Sequence, residues 1–382
     1  MGEVANGSSH EINYVEEASY GVTPSNPVFK ALRNAGTTLG MDRSSITSSE
    51  ITSTRQITNT RLGNTAINGD VNGELSFLSY DDFLEALIGH DRANYHADTI
   101  TVAATGETFT DSNSNLPIFV VGENVSISGF TEAGNNGTFE VAASTASVLT
   151  VVEDVTVDEA AVTDQFVTIV STVLKADTGR RFFTVERQFT NIATPEWHGF
   201  KGCEANTLAL EVAPDAIVTA NFGFIGQAQE AIREAIISGA TYEDNYTTEP
   251  MDSFSGIVTE GGGASAVVTS ISLNIDNGIS QNYVVGSVDT IQPSRGKINV
   301  SGSMTVFYES KALLEKFQNE TESALVFTLV MNSQTYEFNL PRIVYTGGKP
   351  DVPDDQAISL TMPLQAIYDS TEASNIVITR TA

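Results

Sequence analysis

Cysteine occurs once, at Cys203, so no internal disulfide can form, and the chain suits a reducing compartment during folding. Basic residues are scarce: 19 Lys and Arg stand against 48 Asp and Glu, a formal net charge of −29. Gripping nucleic acid by its phosphates needs cations that release counterions, and this composition argues against it. It leaves open the passage of nucleic acid without binding, and solubility is the plainer consequence of so much charge. No apolar run approaches 18 residues, so no segment is expected to span a membrane. The opening Met1-Gly-Glu-Val-Ala-Asn lacks a basic region followed by an apolar core, and no signal peptide is expected. Asn-x-Ser/Thr triplets at Asn6, Asn124, Asn136, Asn245 and Asn319 read as accidents of a composition rich in those residues.

Catalytic signatures are missing as well. There is no Gly-x-Ser-x-Gly, Walker loop, dinucleotide fingerprint or His-Glu-x-x-His. The four histidines are scattered, and His90, Asp91 and His96 have a spacing that suits metal ligation on neither a helix nor a strand. The pairs Glu153-Asp154 and Asp158-Glu159 sit in an acidic segment, where a solvated face is expected rather than general acid/base chemistry. Trp197-His198 near Cys203 lacks a legible orienting acid, which favours a partly buried structural thiol. No cofactor and no enzymatic activity are expected. Gly- and Asn-bearing hairpins would also suit a carbohydrate-binding module, but no cluster of exposed aromatics supports one.

What is present occurs twice. The first copy reads Val71-Asn-Gly-Glu-Leu-Ser-Phe-Leu-Ser-Tyr80, then Asp82-Phe-Leu-Glu-Ala-Leu87. The second reads Val300-Ser-Gly-Ser-Met-Thr-Val-Phe-Tyr308, then Ala312-Leu-Leu-Glu-Lys-Phe317. Each is an alternating strand followed by a short helix. Val71, Gly73, Leu75 and Phe77 match Val300, Gly302, Met304 and Val306 on a dry face. Asn72, Glu74 and Ser76 match Ser301, Ser303 and Thr305 on a wet one. In the helices Leu84 and Leu87 correspond to Leu314 and Phe317, three apart and so on one core-facing side. Two such segments followed by the same order of elements indicate an internal duplication.

Taken in order, residues 1–45 are polar and broken by Pro24, Pro27 and Gly36, with weak alternation at 11–15, and predict an extended arm ordered only by neighbours. Residues 49–58 predict a strand, and 61–70 a loop with an Asn68-Gly69 turn. Domain 1 is assigned to 46–96 plus 173–224. Between them, 97–172 holds eleven acids and no Lys or Arg, and predicts a separate all-β module. Its strands are expected at 100–103, 118–121, 124–128, 138–141, 148–152 and 166–170. Gly134-Asn-Asn-Gly137 is a hairpin signal of consecutive left-handed residues. The module interrupts a connection that is direct in the second copy, so it is an insertion into a loop. The first copy continues with strands at 182–189, 207–212 and 217–224. Residues 225–265 predict a linker with one helix at 227–237. Domain 2, 266–382, is expected to supply strands at 266–275, 325–330, 336–340 and 358–367, with a turn at 276–278 and a long one at 347–353. The fold class is therefore mainly β: two antiparallel sandwich or barrel domains, each with a short helix, plus the inserted module. Exposed edges in such sheets need partners.

Several segments carry a resemblance. Asp252-Ser-Phe-Ser-Gly-Ile-Val-Thr-Glu-Gly-Gly262 and Val268-Thr-Ser-Ile-Ser-Leu-Asn-Ile-Asp-Asn-Gly278 are followed by Val284-Val-Gly-Ser287 and Gly296-Lys-Ile-Asn-Val-Ser-Gly302. Leu314-Glu-Lys-Phe-Gln-Asn-Glu-Thr-Glu-Ser323, Leu340-Pro-Arg-Ile-Val-Tyr-Thr-Gly-Gly348 and Ile358-Ser-Leu-Thr-Met-Pro-Leu-Gln-Ala366 complete the set. Together they resemble the tail tube proteins of long, non-contractile-tailed bacteriophages, over most of 45–382. Val125-Ser-Ile-Ser-Gly-Phe-Thr-Glu-Ala-Gly-Asn-Asn-Gly-Thr-Phe139 is similar to small β modules grafted onto such proteins.

The resemblance implies a virion component, assembled in the host cytoplasm, whose copies join strands into a barrel and stack as rings through loops and arms. Its expected partners are itself, a tape measure protein, and tail terminator or distal tail proteins, with double-stranded DNA passing unbound and no membrane. Family rings are sixfold from single-domain subunits, so a duplicated chain predicts trimers with pseudo-sixfold symmetry, and about 24 lumen strands leave an open channel. Asn72, Glu74, Ser76, Ser301, Ser303 and Thr305 are the candidate lumen-facing residues, since an acidic, polar wall lets duplex DNA slide. A β-modular host-binding or distal tail protein and a glycan-active enzyme are the alternative readings.

Overall fold

The computed structural model describes every residue except 1–3, 52, 90–93, 98, 117–118, 120, 123, 156, 162–166, 172, 245, 254–255, 265–266 and 382. In chain order the first half opens with β1 (His10–Glu17), β2 (Val28–Leu32), β3 (Gly36–Thr37), β4 (Gly40–Thr47), β5 (Thr60–Glu74) and helix α1 (Asp81–Ile88). The insertion supplies β6 (Asn94–Ala97), β7 (Ile100–Ala103), β8 (Thr108–Asp111), β9 (Asn124–Ser128), β10 (Gly137–Ser144), β11 (Val148–Val151) and β12 (Val167–Ser171). The first half resumes with β13 (Val173–Lys175), β14 (Phe182–Phe189), β15 (Glu196–Val212) and β16 (Thr219–Gly226). The connection to the second half carries β17 (Ala228–Gln229) and β18 (Thr241–Glu243). That half begins with β19 (Ile257–Glu260), β20 (Gly263–Ala264), β21 (Val268–Asp276), β22 (Ser280–Asn282), β23 (Ile291–Ser294) and β24 (Asn299–Phe307). It ends with α2 (Ala312–Gln318), β25 (Ser323–Met331), β26 (Gln334–Tyr345), β27 (Lys349–Asp351), β28 (Ser359–Ala366) and β29 (Val377–Thr381). The fold is mainly β, with two short α-helices among the described residues.

The two halves repeat each other strand for strand. β5 pairs with β16, β16 with the C-terminal part of β15, and the N-terminal part of β15 with β14. In the same order β24 pairs with β28, β28 with the C-terminal end of β26, and the N-terminal part of β26 with β25. β1 lies on β14 as β19 lies on β25, and β3 lies on β5 as β21 lies on β24. The alternation read at Val71 and Val300 thus marks the same strand of two equivalent sheets. Val71, Leu75, Phe77, Val300, Met304 and Val306 are all buried, as the dry face requires.

The halves are fused rather than merely tethered. β15 and β21 pair over six residues, from Thr207 opposite Asp276 to Val212 opposite Ile271. A single apolar core runs through both, from Ile12 and Phe83 to Met304 and Ile378, so the two expected domains share one interior. A sheet that continues across the junction has one continuous dry side to cover.

The insertion has a seven-stranded sheet, ordered β6-β12-β9-β10-β11-β8-β7, and a separate core around Phe109, Val125, Ile127, Val141 and Leu149. It begins at β6, three residues earlier than expected at 97. β8 went unread, and of the strand expected at 118–121 only Phe119 and Val121 lie among the described residues, in no strand. Gly134–Asn136 lies in the β9–β10 connection and Gly137 opens β10, but the segment is not a tight left-handed turn. A 3-10 turn at Ala133–Asn135 makes the bend, and Asn136 closes it by donating to the Phe130 and Glu132 carbonyls and accepting from Phe130 N.

Four other expectations fail. Residues 1–45 are not a free arm: β1 pairs with β14 along eight positions and buries Ile12 and Tyr14. Its carboxylates find partners within the fold, Glu17 accepting from Thr184 and Gly202 N, and Glu16 from Arg181, so its polarity does not leave it free. Residues 49–58 form no strand among those described, and 61–70 are no loop, since β4 and β5 make one long hairpin through them. Gly69 marks a close approach instead of a turn: a Cβ there would lie 2.5 Å from Leu39 Cα. No helix forms at 227–237, because its backbone groups pair with β15. Glu230 N donates to Gly199 O, and Trp197 and Arg233 exchange two hydrogen bonds, so tertiary pairing overrides helical propensity.

Candidate lumen and assembly surface

The wet face is built by cross-strand register. Asn72 stands beside Asn221, then Ala209, Asn274, Ser301 and Gln365 on successive strands. The next row runs Glu74, Thr219, Glu211, Ser272, Ser303 and Pro363. Candidates from the two copies therefore lie in common rows across six strands. Thr305 belongs to the same face, between Ser270 and Thr361, with its hydroxyl 3.0 Å from that of Thr361. Asp70, Glu74, Glu211 and Asp276 carry the charge, and no Lys or Arg occupies an outward position in these rows. Lys349, opposite Thr361 on short β27, is the cation at its margin.

Ser76 does not belong there. It is fully buried and donates to the Ser79 hydroxyl at 2.7 Å. β5 stops at Glu74, and the chain turns inward toward α1 beneath the 250–251 segment, whose Met251 N donates to Leu75 O. The alternation ends with the strand.

The duplicated helices differ in burial. Leu84 and Leu87 are fully buried, whereas Leu314 and Phe317 are half-buried against the same core. Phe83 packs edge-on to Phe183 and Phe224, and Tyr80 stacks on Phe222, so α1 sits on the inner side of the sheet. Its C-terminal carbonyls are capped from the second half, Leu87 O by Asn277 Nδ2 at 2.6 Å and Ala86 O by Arg295 at 3.1 Å. Beside α2 an open groove remains instead, lined by Val267, Met304, Val306, Phe307, Leu313 and Leu360.

The acids of α1 form a buried network that the sequence reading missed. Arg380 of β29 binds Glu85 at 2.8 Å and also pairs with Asp81, which takes the Tyr336 hydroxyl as well. Arg181 binds Glu85 and Asp82 at 2.6 Å each, and Glu16 at 2.9 Å. Lys30 of β2 and Tyr14 of β1 complete the shell of Asp82, at 3.1 and 2.9 Å. Burial alone would raise the Asp82 pKa, but the Arg181 and Lys30 charges hold it well below the usual carboxylate range. At Glu85 burial, with Asp82 and Asp81 nearby, pushes the carboxyl up against the pull of Arg380 and Arg181. The network ties β1, β2, α1, β26, β29 and the residue just before β14 together. Its one sequence signal was acids on the dry side of a helix.

The remaining candidates are dispersed. His90 and Asp91 lie outside the described residues, as does the His96 side chain on β6. Among the described residues no group of three or more His, Cys, Asp or Glu is placed to hold a metal ion. Cys203 is fully buried, and burial pushes its thiol pKa up. In the module, Glu153 accepts from Glu140 N, Asp158 from Ala104 N and Glu159 from Thr131 N, so these acids staple loops.

A family model described as phage tail tube protein matches residues 7–366, nearly the whole chain and including the insertion. No curated protein matches it. With a mainly β fold repeated twice around one sheet, the chain belongs to the phage tail tube protein family, structural components of the virion.

Proposed function

We propose that this chain is the tail tube subunit of a siphophage, three copies closing a pseudo-sixfold ring whose stacked bore passes the genome. The single observation carrying this reading is the repeated pairing scheme, which makes one chain supply two equivalent arcs of sheet. Each half offers about four strands to the wet face, so three chains give roughly 24, a size that leaves an open channel. The polar row from Asn72 to Gln365 and the acid-bearing row from Glu74 to Pro363 are assigned to the bore. Duplex DNA carries about one negative charge per 1.7 Å of axis, so such a wall repels it weakly and lets it slide.

The long β4–β5 hairpin leaves Ile46, Ile51, Ile57 and Leu62 exposed, apolar surface suited to contact with the next ring. The insertion leaves α1 on the inner side of the sheet, away from the wet rows, which supports placing it outside the tube. Tape measure and terminator or distal tail proteins are the partners assigned to tube length and ends, with assembly in the host cytoplasm. No helix among the described residues is long and apolar enough to cross a membrane.

The test is charge reversal of the wall. Phage carrying Glu74→Lys with Glu211→Lys are expected to build tubes yet eject DNA more slowly, with the rate recovering as salt rises. Unchanged ejection from tubes of normal length would remove these residues from the bore. A discrete particle that binds a receptor and never forms tubes would favour the host-binding reading.

A further inference from the structure

The join between the halves is a template for the join between chains. Within one chain the C-terminal part of β15 uses one edge for β16 and the other for β21. The β26 segment at Ile343, Val344 and Tyr345 is its duplicate, and its first edge is taken by β28. Its second edge meets only Ser323, opposite Ile343, among the described residues. The duplicate of β21 is β3 with its flanking residues, which pair with β5 at Gly36 and Thr37. No strand covers the other edge of β3 among the described residues, and Ala35 and Thr38 are exposed there. One chain therefore ends in two unpaired edges that correspond to the two partners of its own internal seam.

We propose that residues 344–346 pair antiparallel with residues 34–36 of a second copy, repeating between subunits the β15–β21 seam. Equivalent positions fix the register. Leu208 and Leu210 occupy the places of Ile343 and Tyr345, because Phe222 and Ala220 on β16 correspond to Ala366 and Leu364 on β28. Ala209 faces Asn274 in the internal seam, which sets Val344 opposite Gly36 of the neighbour. Glu211 faces Ser272 and accepts its hydroxyl at 2.7 Å, which sets Thr346 opposite Asn34 of the neighbour, again on the wet face. The chemistry agrees: Tyr345, buried on the inner side, meets the small Ala35. The contact is head-to-tail, since different edges meet, and such an interface closes into a ring when its rotation allows. It also removes both open edges at once.

This inference rests on the tube reading and is tested apart from it. Facing strand residues lie about 4.5–5.5 Å apart at Cα, within reach of a disulfide. Assembled tubes of Thr346→Cys/Asn34→Cys, mildly oxidised, are expected to give covalent multimers ending at one closed ring, with none from either single variant. Glu211→Cys/Ser272→Cys is the control and is expected to close within one chain. Hollow tubes that cross-link only the control overturn the seam and leave the tube reading intact, whereas a protein that never assembles overturns both. Hydrogen exchange on the unmodified protein gives an independent arm. Amides within 34–37 and 344–346 are expected to exchange at least about tenfold more slowly after assembly, and unchanged exchange there overturns the seam.

Discussion

Arg380, on the last strand, holds Glu85, on the first helix, at 2.8 Å with both side chains buried. The pair bridges 295 residues of chain and joins the second half to the helix of the first. Removing the cation takes a charge partner from two buried carboxylates, Asp81, which keeps the Tyr336 hydroxyl, and Glu85, which keeps Arg181. Arg380→Met is therefore expected to destabilise the unassembled protein by about 3–5 kcal/mol, read as a drop in urea midpoint at unchanged slope. A loss under about 1 kcal/mol would mean the pair behaves like a surface one.

Acid sensitivity should trace to the same network. The Asp82 pKa is lower in the folded chain than the ordinary value near 3.9. Its contribution is fully present above about pH 4 and is lost as pH falls through the folded value. Asp82→Asn is expected to flatten the acid limb of the stability profile below about pH 4, while lowering stability at neutral pH. Urea melts between pH 2 and pH 7 measure this, and an unaltered acid limb contradicts the assignment.

The duplicated helices offer a comparison inside one molecule. Leu87→Ala empties a fully buried site and is expected to cost about 2–5 kcal/mol. Leu314→Ala, at the half-buried duplicate position, is expected to cost under about 1.5 kcal/mol before assembly. Chemical denaturation of the two variants decides it, and equal losses would deny that the surroundings of the two helices differ.

The inserted unit should be dispensable for folding. Its core shares no residue with that of the body, and the body's flanking segments meet each other, with Gly179 N donating to Gly89 O at 2.8 Å. Replacing residues 94–172 with a short Gly/Ser link is expected to leave the thermal midpoint of the body within about 4 °C. A body that unfolds or aggregates after the deletion contradicts two independent cores.

The strands at Val71 and Val300 were legible because a sheet with one dry side imposes a period of two on a contiguous stretch. Leu84 and Leu87 were legible for the matching reason in a helix. The β1–β14 pairing was not, since Ile12 and Tyr14 alternate with Asn13 and Glu11 and the partner strand lies far along the chain. Arg380 was illegible in the same way: an isolated cation gives no local sign that Asp81 and Glu85 await it. Ser76 failed because periodicity shows where a face begins, not the residue at which the strand stops. Gly73 and Gly302 matched in sequence for different causes. A Cβ at Gly73 would meet the Tyr80 hydroxyl at 1.9 Å, and one at Gly302 would meet Ser272 O at 2.1 Å.

The central claim is that two equivalent arcs per chain let three chains surround a bore lined by the rows through Asn72 and Glu74. An averaged end-on electron micrograph of assembled tubes, with ring mass measured alongside, tests it most directly. The account predicts a hollow ring of three chains with six similar wall segments and three peripheral densities from the insertion. Six chains per ring, or a particle with no bore, would contradict it.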